Sequence, residues 1–239
     1  MNRKREIFDL LLLSFLTLFA ELVFIRYVTS NIYLLSYYKN AILLSIFLGI
    51  GTGFMISREK RNYIELLPVA TLILLYLIIN FHNYLRIDID FGSRSESIWP
   101  EFWANTKAKS VPMLGVLTVS YVLIALYFIP FGQETARRMK TFKPLLAYSV
   151  NIAGAIAGIA VFELIGRFWI TPIIWFAIVL VPLLWLMRGY TKRTSYLINL
   201  FAVLASLFLL YSAQTAFEFW SPYSKIKLYS FSSQTYDQG

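Results

Sequence analysis

The stretch Ile7-Phe-Asp-Leu-Leu-Leu-Leu-Ser-Phe-Leu-Thr-Leu-Phe-Ala-Glu21-Leu-Val-Phe-Ile-Arg26-Tyr-Val28 decides the fold. A bilayer's hydrocarbon core of about 30 Å takes roughly 20 helical residues at 1.5 Å each, and this run is that long. The Met-Asn-Arg-Lys-Arg-Glu6 before it resembles the start of a signal peptide. Its apolar run is too long for one, however, and lacks a small-residue cleavage site. The segment therefore reads as a helix kept in the mature protein.

Six more apolar runs follow, near residues 34–55, 65–85, 111–130, 145–164, 169–187 and 195–214. Together they predict an all-α integral membrane protein, a polytopic bundle of about seven transmembrane helices over residues 1–215, with a juxtamembrane tail over residues 216–239. The composition agrees: 58% hydrophobic and only 15% charged residues would make the chain aggregate in water. The net charge of +9 lies in short blocks between the runs, where it sets orientation, so nucleic-acid binding is rejected and the lipid bilayer is the expected surrounding. The absence of cysteine excludes disulfides and thiolate chemistry, and a single histidine, His82, excludes a multi-histidine metal site. No metal and no cofactor is expected.

Arg3, Lys4 and Arg5 before the first run, Arg58, Lys60 and Arg61 after the second, Arg137, Arg138, Lys140 and Lys143 after the fourth, and Arg188, Lys192 and Arg193 after the sixth mark the cytoplasmic face. The third connection, residues 86–110, is an exception, because Arg86, Arg94, Lys107 and Lys109 lie there among Asp88, Asp90, Glu96 and Glu101. The expected topology is a multi-pass protein of the cell membrane with its N-terminus in the cytoplasm and its C-terminus outside. Ile98-Trp-Pro-Glu-Phe-Trp103 in the long connection suits a short interfacial helix, with a lid over an outward cavity as the alternative.

A charged side chain inside a span costs on the order of 2.5 to 3.5 kcal/mol, so such residues point to function. Glu21 and Lys39 are expected to meet in the outer half of the first hairpin, with Glu163 approaching the same level and Arg26 and Arg167 close to the interface. Two readings stay open: a structural ion pair with snorkelling arginines, or an outward pocket for a cation or amine.

Gly49-Ile-Gly-Thr-Gly53 ends a hydrophobic helix and precedes a basic loop, which is the wrong context for a dinucleotide fingerprint. Gly49 and Gly53 share a face and should let another helix approach. Gly154 and Gly158 repeat the pattern, with Asn151 on the same face to bond across to a neighbour. Gln133 and Glu134 precede Arg137 and Arg138 at helical spacing in what reads as a cytoplasmic segment after Pro130, and ion pairs account for them. No Ser/His/Asp set, paired carboxylates or phosphate loop is present, so the chain displays no catalytic centre.

In the tail, Lys225, Ile226, Lys227 and Leu228 alternate as a half-buried strand does. One strand cannot fold alone, so its neighbour is expected from another polypeptide or a further domain, with Trp220, Pro222, Tyr223, Ile226 and Leu228 as the partner-binding residues. Three stretches resemble the N-terminal membrane-embedded region of fused, membrane-bound spermidine synthase-like proteins. They are Phe19-Ala-Glu-Leu-Val-Phe-Ile-Arg26, Ala147-Tyr148 through Gly158, and Trp220-Ser-Pro-Tyr-Ser-Lys-Ile226. The last is similar to the first strand of an aminopropyltransferase domain, with Ser224 in place of the usual glutamine. The resemblance implies a soluble methyltransferase-like domain beyond the strand, whose glycine-rich nucleotide site and acidic amine-binding residues these 239 residues do not contain. Two functions follow as expectations: a non-catalytic membrane module that anchors or assembles a partner, or a small transporter or amine-binding protein built on Glu21, Lys39 and Glu163.

Overall fold

The computed structural model describes residues 3–81, 85–88, 109–188, 191–214, 218–221 and 225–227. The expected interfacial helix at Ile98–Trp103 and the tail residues Pro222, Tyr223 and Leu228 lie outside them.

A chain this apolar satisfies its backbone internally, and helices do so locally. The elements are α1 (Arg3–Asn31), α2 (Tyr33–Tyr37), α3 (Lys39–Met55), α4 (Leu67–Ile79), α5 (Met113–Met139), α6 (Pro144–Arg167), α7 (Pro172–Met187) and α8 (Arg193–Ser212). Two 3₁₀ turns, Ile56–Arg58 and Tyr63–Leu66, join α3 to α4. Strands β1 (Leu85–Asp88) and β2 (Lys109–Pro112) pair in parallel, while β3 (Glu218–Trp220) and β4 (Lys225–Lys227) pair antiparallel. Prolines open α4, α6 and α7 in their first turns, where a missing N–H costs nothing.

Helix α1 is the axis of the bundle. Leu13, Leu16, Phe19, Val23 and Phe24 along it are buried, and it packs on α5, α6 and α7. Phe24 meets Tyr127 at 4.3 Å between ring centroids, Phe128 at 5.6 Å and Phe176 at 5.8 Å, which joins α1, α5 and α7 in one aromatic core. Helix α3 lies along α5, and α8 covers α4 and α7.

The expectation of about seven spans is corrected. Among the described residues, five helical segments are long and apolar enough to cross a membrane: Arg3–Asn31, Lys39–Arg58, Met113–Met139, Pro144–Arg167 and Arg193–Ser212. The apolar segments Tyr63–Ile79 and Pro172–Met187 are shorter. The 16 residues of α7 reach roughly 24 Å, less than the hydrocarbon core. Their apolar runs continue in sequence, but the backbone leaves the helix: α4 stops at Asn80, and the turn before α7 contains Trp169 at φ 56°.

Two other boundaries moved. The run over 34–55 is broken at Tyr38, with φ −109° and ψ 40°, so Lys39 is the first residue of α3 and not a residue several positions inside a span. The run over 111–130 continues through Pro130 to Met139, and Phe131 to Ala136, read as a cytoplasmic segment, is buried helix. Its polar side chains serve the protein interior, which a hydropathy window does not register.

Candidate functional site

The bundle has two differently built ends. At the C-terminal end of α1, the β3–β4 hairpin docks through Trp220, which is 4% exposed. Its indole stacks on Tyr27 at 6.0 Å and meets Trp175 edge-on at 5.1 Å. The Arg26 guanidinium lies 4.6 Å from the Trp175 ring centroid and 5.8 Å from that of Phe162, and it donates to the Ser221 carbonyl. Lys225 sits over Trp220 at 5.3 Å and donates to Asn31 Oδ1 at 3.2 Å. The aromatic cage that could receive an external cation is thus filled by Arg26 itself.

The tail strand found at Lys225–Lys227 corrects the expectation that its neighbour must come from elsewhere. Within this chain, Glu218 pairs with Lys227, Phe219 with Ile226 and Trp220 with Lys225. The sequence shows alternation only in the second strand, because Phe219 and Trp220 are both aromatic although one is exposed and the other buried.

The charges expected inside the membrane, Glu21, Lys39, Glu163 and Arg26, do not assemble into one cluster. The ion pairs among the described residues are Arg138 with Asp9 at 3.0 Å, Arg138 with Glu134 at 2.9 Å and Arg137 with Glu134 at 3.9 Å. Glu21, 4% exposed, makes none of them and no hydrogen bond to a described residue. Lys39 is exposed at the start of α3. Glu163 is exposed near the end of α6, close enough to act electrostatically on Arg26, and Arg167 is exposed as the last residue of that helix.

The small residues sit where backbones meet. A Cβ on Gly53 would lie 2.6 Å from the Gln133 nitrogen, and one on Gly49 would lie 3.0 Å from Phe128 Cβ and would strike the Ala125 carbonyl, so both glycines face α5. A Cβ on Gly158 would lie 2.8 Å from the Phe15 carbonyl and one on Gly154 would lie 2.8 Å from Ser14 Cβ, so both face α1. Beside them the Ser14 hydroxyl donates to Asn151 Oδ1 at 2.8 Å and also reaches the Leu10 carbonyl at 2.8 Å.

The residue the sequence undervalued is Gln133. Buried in α5, it accepts from the Tyr63 N–H at 3.1 Å and donates to the Arg61 carbonyl at 3.1 Å and the Ile56 carbonyl at 3.4 Å. Arg137 adds bonds to the Ser57 carbonyl at 3.2 Å and the Arg61 carbonyl at 2.8 Å, and Lys140 reaches Ser57 Oγ at 2.7 Å. The connection between α3 and α4 is therefore clasped by α5 through its backbone carbonyls. The available signal is a polar side chain just past an apolar run, which helical spacing alone explains as part of local ion pairs. Among the described residues no group of three or more His, Cys, Asp or Glu side chains could hold a metal. No protein-family model, curated protein or solved structure matches this chain.

Proposed function

We propose that this chain is a non-catalytic membrane module that holds a partner protein at the hairpin end of its bundle. One observation carries the reading. Phe219 and Ile226 are cross-strand partners, 44% and 40% exposed, on a hairpin whose neighbouring residue Trp220 is buried against the bundle. Successive strand residues point to opposite faces, so pinning one face displays the other. A two-stranded hairpin is marginal by itself, and an anchored one presents backbone groups for strand addition with an apolar pair for selectivity. The resemblance read from the sequence supplies the partner's class, a spermidine synthase-like protein. In this reading the basic end of the bundle lies in the cytoplasm and the hairpin outside.

A photoreactive residue at Ile226 in the full chain, irradiated in native membranes, tests this. A single protein adduct that disappears on F219D is the expected result. If position 226 gives only the lipid adducts seen from the exposed helical position Ile152, the anchoring role is lost.

A second reading, a small transporter or amine-binding protein, is favoured by Glu21, a buried carboxyl without a bonded partner among the described residues. Intramembrane carboxyls commonly mark cation or proton paths. Calorimetry with spermidine as the probe should then show binding that E21Q removes, and absence of binding to the unaltered chain would end this alternative.

A further inference from the structure

At the end of the bundle opposite the hairpin, a cleft of about 890 Å³ opens between the end of α3, the Ile56–Arg58 turn, and the junction of α5 with α6. Its lining divides in two. Phe54, Met55, Phe142 and Tyr148 give an apolar wall, of which Met55 is 83% and Tyr148 60% exposed. Arg58 and Lys140 give a basic rim.

We propose that this cleft binds an anionic phospholipid, its phosphate held by Arg58 and Lys140 and an acyl chain lying along Phe54, Met55 and Tyr148. Charge complementarity and free donors support it. Arg58 makes no hydrogen bond or ion pair with a described residue, so its guanidinium is available, and Lys140 uses one N–H on Ser57 Oγ and retains two. Glu59 and Glu134 do not line the cleft, and Glu134 is already paired with Arg138. The two basic residues come from different connections and are brought together by the Gln133 and Arg137 clasp, which makes the rim a feature of the fold. Basic pockets at helix ends favour phosphate headgroups, while the apolar wall favours a lipid over a free anion. At physiological salt, two adjacent cations also draw anionic lipid over zwitterionic lipid.

Native mass spectrometry of the full chain in mild detergent, titrated with phosphatidylglycerol or phosphatidylcholine, gives the test. Phosphatidylglycerol should bind about 25-fold more tightly than phosphatidylcholine, R58Q should reduce that binding about fivefold, and R58Q/K140Q should abolish the preference. The K192Q control removes one charge from the α7–α8 connection, outside the cleft, and should change nothing. Size-exclusion elution checks that each variant is folded, and R58Q breaks no hydrogen bond or ion pair with a described residue, so its result stands even if the double variant fails to fold. Equal retention of phosphatidylcholine, an equal loss in K192Q, or displacement of phosphatidylglycerol by inorganic phosphate would each overturn the assignment, the last by making the site one for a soluble anion.

Discussion

The α3–α5 and α1–α6 contacts are both lined by glycine, but they are closed in different ways. In the first, small residues stand on both helices: Gly49 and Gly53 face α5, and a Cβ on Gly132 of α5 would lie 2.8 Å from Ile50 Cα. Each of these glycines has a backbone carbonyl of the facing helix as its nearest neighbour. In the second, the glycines are on α6 alone; they too meet backbone, at Leu11 and Phe15 of α1, but a Cβ on Gly158 would stand 2.8 Å from its nearest neighbour, the Phe15 carbonyl, and the Ser14–Asn151 bond is added. The first contact is therefore tight at every glycine, whereas the second has slack at Gly158, where a smaller shift makes room.

The sharpest way to break this comparison is G53L, which should abolish a monodisperse size-exclusion peak, while G51L, with nothing within 4 Å of its Cβ, should elute as the unaltered chain does. If the two behave alike, the close approach of α3 and α5 is wrong. The next effect is that of G158L, where a Cβ has the Phe15 carbonyl at 2.8 Å but the Leu18 side chain at 3.6 Å. It should lower the midpoint of thermal unfolding in detergent yet leave a folded population, as overpacking of about 1 to 3 kcal/mol does. A G158L chain as aggregated as G53L would erase the distinction between the two contacts.

Third is Q133L, placed beside the α3–α5 contact. It leaves the Tyr63 N–H and the Arg61 and Ile56 carbonyls without this partner and should cost about 1 to 3 kcal/mol. Hydrogen exchange should rise in residues 56–63 before it rises in α3; uniform exchange across both would mean that Gln133 does not clasp the connection. The smallest effect belongs to the polar bond of the other contact. A double-mutant cycle of S14A and N151A should give a coupling of about 0.6 kcal/mol, the usual value between membrane helices. A coupling indistinguishable from zero would leave the glycines as the whole of the α1–α6 attraction.

Of these features, the glycine faces could be read in advance because the spacing of Gly49 with Gly53, and of Gly154 with Gly158, is a property of helical geometry alone. Gly51 shows the same logic in reverse, since two positions away it points into open space. The polar cluster could not be read this way. The continuity of apolar residues puts Lys39 inside a membrane span, and a single backbone break at Tyr38 moves it to an exposed helix start. Gln133 and Arg137 looked like partners of their own helix neighbours, and they serve carbonyls more than 70 positions earlier in the chain.

By itself the sequence determined that this is a helical chain with long apolar segments, which helix faces are smooth enough for close packing, and where the basic residues gather. Each of these depends on residues within a turn or two of one another, and the need to satisfy backbone groups without water leaves little choice of local structure. The tertiary structure decided which of the described segments have spanning length, and that the tail pairs with itself. It also decided that Arg26 fills the aromatic cage beside Trp175 and that Arg58 and Lys140 share one cleft. Those outcomes depend on contacts such as Arg26 with Ser221, 195 positions apart, and no local pattern of apolar and polar residues encodes which distant side chain will complete a site.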